Sequence, residues 1–181
     1  MPFKRTGALL LVICMAVSLP YTALAAQTQP EEYQIKAAFL YNIIQFVEWP
    51  ADELAAHENM TICIFGKNPF GPFLDSIVGK KAWGKNLLLS RINNPQQAGH
   101  CQVVFISPSD KNALPVVLNA VRGLHVLTIG DTEGFSEQGV IINFFMAENN
   151  RIRFEINKEA SRTAGLKISS HLLKLARITR D

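Results

Sequence analysis

The stretch Gln102-Val-Val-Phe-Ile106, followed at once by Ser107-Pro-Ser-Asp110, decides the fold. Its core is uncharged, rich in β-branched residues and only five residues long. That is the signature of a strand buried on both faces, not of a half-exposed strand with alternating polarity. Ser107 to Asp110 then offers the side-chain oxygens that cap a helix, which the spacing predicts over about 111–121.

Working outward, the same unit recurs. Met60–Phe65 reads as a buried strand, and Gly66-Lys-Asn-Pro-Phe-Gly71 as a turn into a helix over roughly 71–78. Asn86–Ile92 and Leu124–Ile129 are further strands. Short strands alternating with helices indicate parallel βαβ units. The last part differs. Val140–Met146, a Glu148-Asn-Asn150 turn and Arg151–Ile156 form an antiparallel hairpin that is expected to close one sheet edge. In its second strand Ile152, Phe154 and Ile156 point one way, and Arg151, Arg153 and Glu155 the other. Asn157 caps a short helix ended by Gly165, and Ser169 or Ser170 caps a final helix to about Arg177. Before all of these, residues 31–48 show helical apolar spacing, with Glu31 and Glu32 in the first turn and Trp49-Pro50 as the stop. The expected architecture is a three-layer α/β domain of Rossmann or flavodoxin type, with a mostly parallel sheet and an antiparallel closing hairpin.

Composition limits function. The chain has 181 residues, 18 Lys and Arg against 15 Asp and Glu, 48% hydrophobic residues and three cysteines. That is too apolar for disorder, too poor in cysteine for a disulfide scaffold and too weakly charged for a nucleic-acid partner. Residues 1–25 carry the layout of a secretory signal peptide: Lys4-Arg5, the apolar run Gly7–Leu19, Pro20, and Ala23-Leu-Ala25 as cleavage site. The run is short for a membrane anchor. Cys14 lies inside it behind Ile13, which argues against a lipoprotein site. Cleavage removes two basic residues, no acidic ones and Cys14, leaving about 156 residues (26–181) near +1 as a single domain. No other long apolar segment is present, so no membrane insertion is expected after cleavage, and a periplasmic location follows.

Candidate chemistry is sparse. Gly66 to Gly71 has the spacing of a phosphate loop, but Pro72-Phe73 stands where Lys-Ser/Thr is required, so an ordinary turn is expected. No Gly-x-Ser-x-Gly occurs, and the four histidines lack ligand spacing. A hydrolase built on Ser169, Ser170 and His171 is better explained as a helix cap. No catalytic residue, cofactor or metal is therefore expected. Cys63 and Cys101 fall on the first strand and at the start of the third, which a flavodoxin-like order places side by side. Export favours a disulfide, while a metal site with His100 and a pair of free thiols remain the alternatives. The loop of Asp131, Glu133 and Glu137 sits at a strand end, either as a solvated turn or as the rim of a small-molecule site. Phe39, Tyr41, Phe46 and Trp49 are more aromatics than one helix face needs. Phe144 and Phe145 are adjacent, so one is either hidden by a second covered face or feeds a partner surface.

Several stretches carry a resemblance: Lys36-Ala-Ala-Phe-Leu-Tyr-Asn42 with Phe46-Val-Glu-Trp-Pro50, Ile62-Cys-Ile-Phe-Gly66, and His100-Cys-Gln-Val-Val-Phe-Ile-Ser107. Leu127-Thr-Ile-Gly-Asp131, Arg153-Phe-Glu-Ile-Asn157 and Gly165-Leu-Lys-Ile-Ser-Ser170 continue it. In this order they resemble the YfiR family, the DUF4154 domain, across nearly the whole mature chain. The resemblance implies a periplasmic non-enzyme that binds the sensor domain of an inner-membrane diguanylate cyclase of YfiN type and holds it off, lowering cyclic di-GMP. It also implies a YfiB-type outer-membrane lipoprotein that sequesters the repressor. Cys63 and Cys101 match a family disulfide. A second family pair has no counterpart here, since residues 137–145 hold no cysteine. Glu155 matches a position near a family partner surface, and Phe144, Phe145, Arg153 and Glu155 are the candidate partner-binding residues. An exposed sheet edge also leaves a homodimer open.

Overall fold

The computed structural model describes Met1 and residues 29–180. The predicted leader, beyond its first residue, and its cleavage site lie outside the described residues. The chain runs α1 (Gln29–Gln45), β1 (Val47–Glu48), α2 (Ala51–Ala56), β2 (Asn59–Phe65), β3 (Lys81–Ala82), β4 (Lys85–Ile92), β5 (Val103–Ile106), α3 (Leu114–Ala120), β6 (Leu127–Gly130) and β7 (Ile142–Met146). It ends with β8 (Ile152–Asn157), α4 (Lys158–Thr163), β9 (Lys167–Ile168), α5 (Ser170–Leu175) and β10 (Arg177–Arg180). Three six-residue 3-10 segments, Gly71–Ser76, Pro95–His100 and Pro108–Ala113, follow β2, β4 and β5.

Eight strands form one sheet in the order β10-β8-β7-β6-β5-β2-β4-β3. Its centre, β4-β2-β5-β6-β7, is parallel throughout. Counted along the chain, those five strands stand in the order 2-1-3-4-5, the flavodoxin-like arrangement expected. The uncharged strands follow from burial on both faces. Ile62, Ile64, Val103 and Phe105 join Leu40 and Ile43 of α1 in one core. Their neighbours Cys63, Phe65, Val104 and Ile106 meet Leu114 and Val117 of α3 in another. A single strand thus supplies both layers, which removes any need for a polar face.

Five expectations are corrected. The first helix stops at Gln45 rather than Glu48, because Val47 and Glu48 leave it to pair antiparallel with Ile168 and Lys167 of β9. The predicted helices at 71–78 and 111–121 are shorter. The first is a 3-10 turn, and in the second Pro108–Ala113 is 3-10 with the α-helix starting at Leu114, where Pro115 sits at its amino end. The last helix ends at Leu175, and residues 177–180 return as β10. Consequently the β7–β8 hairpin does not close the sheet. β10 lies outside it, parallel to β8, with Arg177 opposite Glu155. The β-branched Ile178 and Thr179, and a buried carboxylate awaiting Arg177, favour the strand over further helix.

Candidate functional site

The β7–β8–β10 edge gathers the predicted partner residues. Antiparallel pairing sets Asn143 opposite Glu155, Phe144 opposite Phe154 and Phe145 opposite Arg153. Phe144 faces the core, 1% exposed, and packs against Phe39 of α1, which also meets Phe154. It is therefore no contact residue, because α1 covers it. Glu155 was expected on the polar face. It does point that way, yet it is 2% exposed. The Arg177 guanidinium donates to Glu155 Oε2 through Nε at 3.1 Å and through Nη2. Asn143 Nδ2 donates to Glu155 Oε1 at 3.1 Å. A buried carboxylate so satisfied is held in place rather than offered to a partner. Phe145 is half-buried, and the Arg177 guanidinium lies 4.2 Å over its ring. Arg153 stands exposed beside it. Of the four predicted residues, then, Phe145 and Arg153 reach the surface and Phe144 and Glu155 do not. Sequence reading missed Arg177, whose only signal was the β-branched Ile178-Thr179 after the helix.

Cys63 and Cys101 are disulfide-bonded, with Cα atoms 6.1 Å apart. The bond ties β2 to the segment entering β5, and it removes the metal and free-thiol alternatives for this pair. His100 points to solvent.

At the carboxyl end of the parallel strands, Asp131 is not a solvated turn residue. Its Oδ2 accepts from the Tyr33 hydroxyl at 2.7 Å and from Lys36 Nζ at 2.8 Å, and Lys36 also pairs with Glu32. Burial foremost, then the adjoining Asp131 charge and hydrogen bond, push the Tyr33 phenol well above its ordinary value. The cluster clamps α1 onto the end of β6. Farther along the same loop, Glu137 rims a cavity of about 290 Å³ between α3 and α4, with Val121, Val126 and Ile141 in its lining and Arg122 and Arg180 at its margin.

The remaining candidates take structural roles. Asn68 Oδ1 accepts from Phe70 N at 2.9 Å, closing the Gly66–Gly71 turn. Gly66 has φ +92°, and a Cβ there would lie 2.3 Å from Asp110 Oδ2, so only glycine fits. Ser169 Oγ accepts from Leu172 N at 3.2 Å as the cap of α5, and His171 lies against Phe46. Trp49 Nε1 donates to the His125 carbonyl at 2.9 Å, which anchors the exit from α1.

A doubly covered, mostly parallel sheet of flavodoxin-like order, disulfide-tied and extended by an antiparallel edge, defines an α/β class. Within that class the chain belongs to the DUF4154 family, YfiR/HmsC-like, which matches residues 33–177. This family is periplasmic and regulatory rather than catalytic. No curated protein matches the chain. Among solved structures, it is similar to the ABC domain in complex with L-Trp from Streptococcus pneumonia, at 8% identity and a TM-score of 0.51, covering 81% of this chain and 60% of that one. It is also similar to a conserved domain protein from Vibrio cholerae O1 biovar eltor, at 13% identity and a TM-score of 0.52, covering 81% and 59%. This chain spans about three fifths of each, and the likeness is one of fold.

Proposed function

We propose that this protein is a periplasmic repressor that binds the sensor domain of an inner-membrane, YfiN-type diguanylate cyclase and lowers cyclic di-GMP, with a YfiB-type outer-membrane lipoprotein able to sequester it. Membership of the YfiR/HmsC-like family over residues 33–177 carries this reading. A disulfide suits an oxidising compartment, and the leader-like residues 1–25 suit export. The mechanism is stoichiometric: the repressor binds the inactive state of the cyclase better than the active one. Moving that equilibrium from 1:99 to 99:1 takes about 5.5 kcal/mol of preference, which one interface of standard size can supply. Deleting the gene is expected to raise cellular cyclic di-GMP and adhesion. An unchanged level in a strain expressing the cyclase overturns the reading.

The cavity of about 290 Å³ favours a second reading, a small-molecule sensor with Glu137 at its rim. A thermal-shift screen against periplasmic extracts is expected to show a stabilised state if this holds, and a flat screen counts against it.

A further inference from the structure

Residues 76–92 hold four basic residues, Lys80, Lys81, Lys85 and Arg91, and no acidic one. Three of them lie in Lys80-Lys-Ala-Trp-Gly-Lys85, around the hairpin that joins β3 to β4. Its two-residue turn is Trp83-Gly84, with φ of +53° and +77°. A turn of this kind favours Asn, Asp or Gly at both positions. A bulky residue with positive φ is an outlier, and it persists only where its surroundings hold it. Here Trp83 Nε1 donates to the Ile44 carbonyl of α1 at 2.9 Å, yet the residue stays 40% exposed. Val78 and Leu88, next in the chain to the bonded Gly79 and Leu87, are exposed as well. Beside the hairpin runs a groove of about 540 Å³ between α1 and the segment Gly71–Ser76. Ala38, Tyr41, Phe73 and Ile77 give it apolar walls, and Lys80 is the one charged residue among the described residues of its lining. Lys80 Nζ lies 5.1 Å over the Tyr41 ring. Lys80, Lys81 and Lys85 have no ion pair among the described residues.

We infer that this corner, the β3–β4 hairpin with the groove beside it, adsorbs to an anionic phospholipid surface, with Lys80, Lys81 and Lys85 at the phosphates and Trp83 in the headgroup layer. Such a contact goes beyond the repressor reading and does not depend on it. Three features favour lipid over an acidic protein. Tryptophan settles at a membrane–water boundary, and cations beside exposed apolar side chains are what surface adsorption requires. The cations here are lysines, point charges that are each drawn to a negatively charged surface, whereas paired recognition of a protein carboxylate suits the forked guanidinium of arginine. The groove places one cation above apolar walls, which matches a charged headgroup on an apolar stem. The plainest competing account is that Trp83 only fastens the hairpin to α1.

The test uses the mature protein, a Lys80→Gln/Lys81→Gln variant, a Trp83→Asn variant, and a Lys111→Gln/Lys174→Gln control that removes two exposed cations elsewhere. Each is sedimented with vesicles of phosphatidylglycerol and of phosphatidylcholine, and tryptophan emission is followed. The wild type and the control are expected to bind phosphatidylglycerol in preference to phosphatidylcholine, more weakly as salt rises from about 50 to about 300 mM. Loss of Lys80 and Lys81 is expected to weaken partitioning about tenfold or more, with the melting temperature kept. Because Trp49 is buried, a blue shift of emission on phosphatidylglycerol is expected to come from Trp83. Trp83→Asn, whose new residue suits the turn, is expected to lose both the shift and most of the binding. No binding to phosphatidylglycerol by the wild type overturns the inference, and so does equal binding to both lipids. An equal loss in the control, or binding with no change in emission, overturns it too. Self-association that depends on Lys80 and Lys81, without vesicle binding, overturns it and makes the corner an interface between copies of the chain.

Discussion

Glu155 and Arg177 show how little a residue's polarity says about its exposure. On a strictly alternating strand the acidic side chain takes the polar face, but a later strand lies beside it and closes that face over. Removing the guanidinium leaves the carboxylate with Asn143 alone. Because Arg177 is itself 59% exposed, water can replace part of the pair. Arg177→Ala is therefore expected to cost about 1–2 kcal/mol, less than for a fully buried pair, read from urea unfolding. Cys63→Ser and Cys101→Ser are each expected to destabilise the oxidised protein by similar amounts. The sequence separation of 38 gives a loop-closure contribution of roughly 3–4 kcal/mol, and an unchanged melting temperature would mean the bond is absent. Tyr33 makes the pH dependence. Its folded pKa is raised above that of the unfolded phenol, so its contribution is complete below about pH 10. Above that pH the unfolded state loses protons the native state keeps, and stability falls. The urea midpoint is expected to drop more steeply between pH 9 and 11 in the wild type than in Tyr33→Phe.

At the scale of elements, the β7–β8 hairpin separates two neighbouring phenylalanines. Phe144 fills the core under α1, and its truncation to alanine is expected to cost about 3–5 kcal/mol. Phe145 is half-buried beneath Arg177, so Phe145→Ala is expected to cost much less, and parallel urea titrations compare the two. The elements legible in sequence were those whose pattern is local. Val103–Ile106 and Asn59–Phe65 are uncharged runs, Arg151–Ile156 alternates, and Asn157 and Ser169 cap helices as their positions imply. The elements that were not legible depend on a distant partner. Val47–Glu48 becomes a strand only because Lys167–Ile168 arrives beside it, and Arg177–Arg180 only because β8 offers an open edge.

For the whole molecule, two cores share one sheet. Ile62 and Cys63 are adjacent in β2 and belong to opposite layers. Neither layer can lose its packing without exposing the strands that complete the other, so one cooperative transition is expected. Trp49 lies in the α1-side core and Trp83 Nε1 donates to the Ile44 carbonyl of α1 at 2.9 Å, so their fluorescence reports on that side and should change with the same midpoint as far-ultraviolet circular dichroism. Separate midpoints would show that the layers unfold independently.

By itself the sequence determined the fold class, the strand order that brings Cys63 near Cys101 and the resemblance that the family match bears out. These rest on short-range patterns of polarity, caps and glycine turns, which physics reads within a few residues. Only the tertiary structure decided which side chains face outward at the β7–β8–β10 edge. It buried Phe144 and Glu155, left Arg153 exposed, and brought Tyr33 and Lys36 onto Asp131 almost a hundred residues away. Burial depends on what arrives on the far side of a residue, and at this edge that is a helix from the start of the chain and a strand from its end.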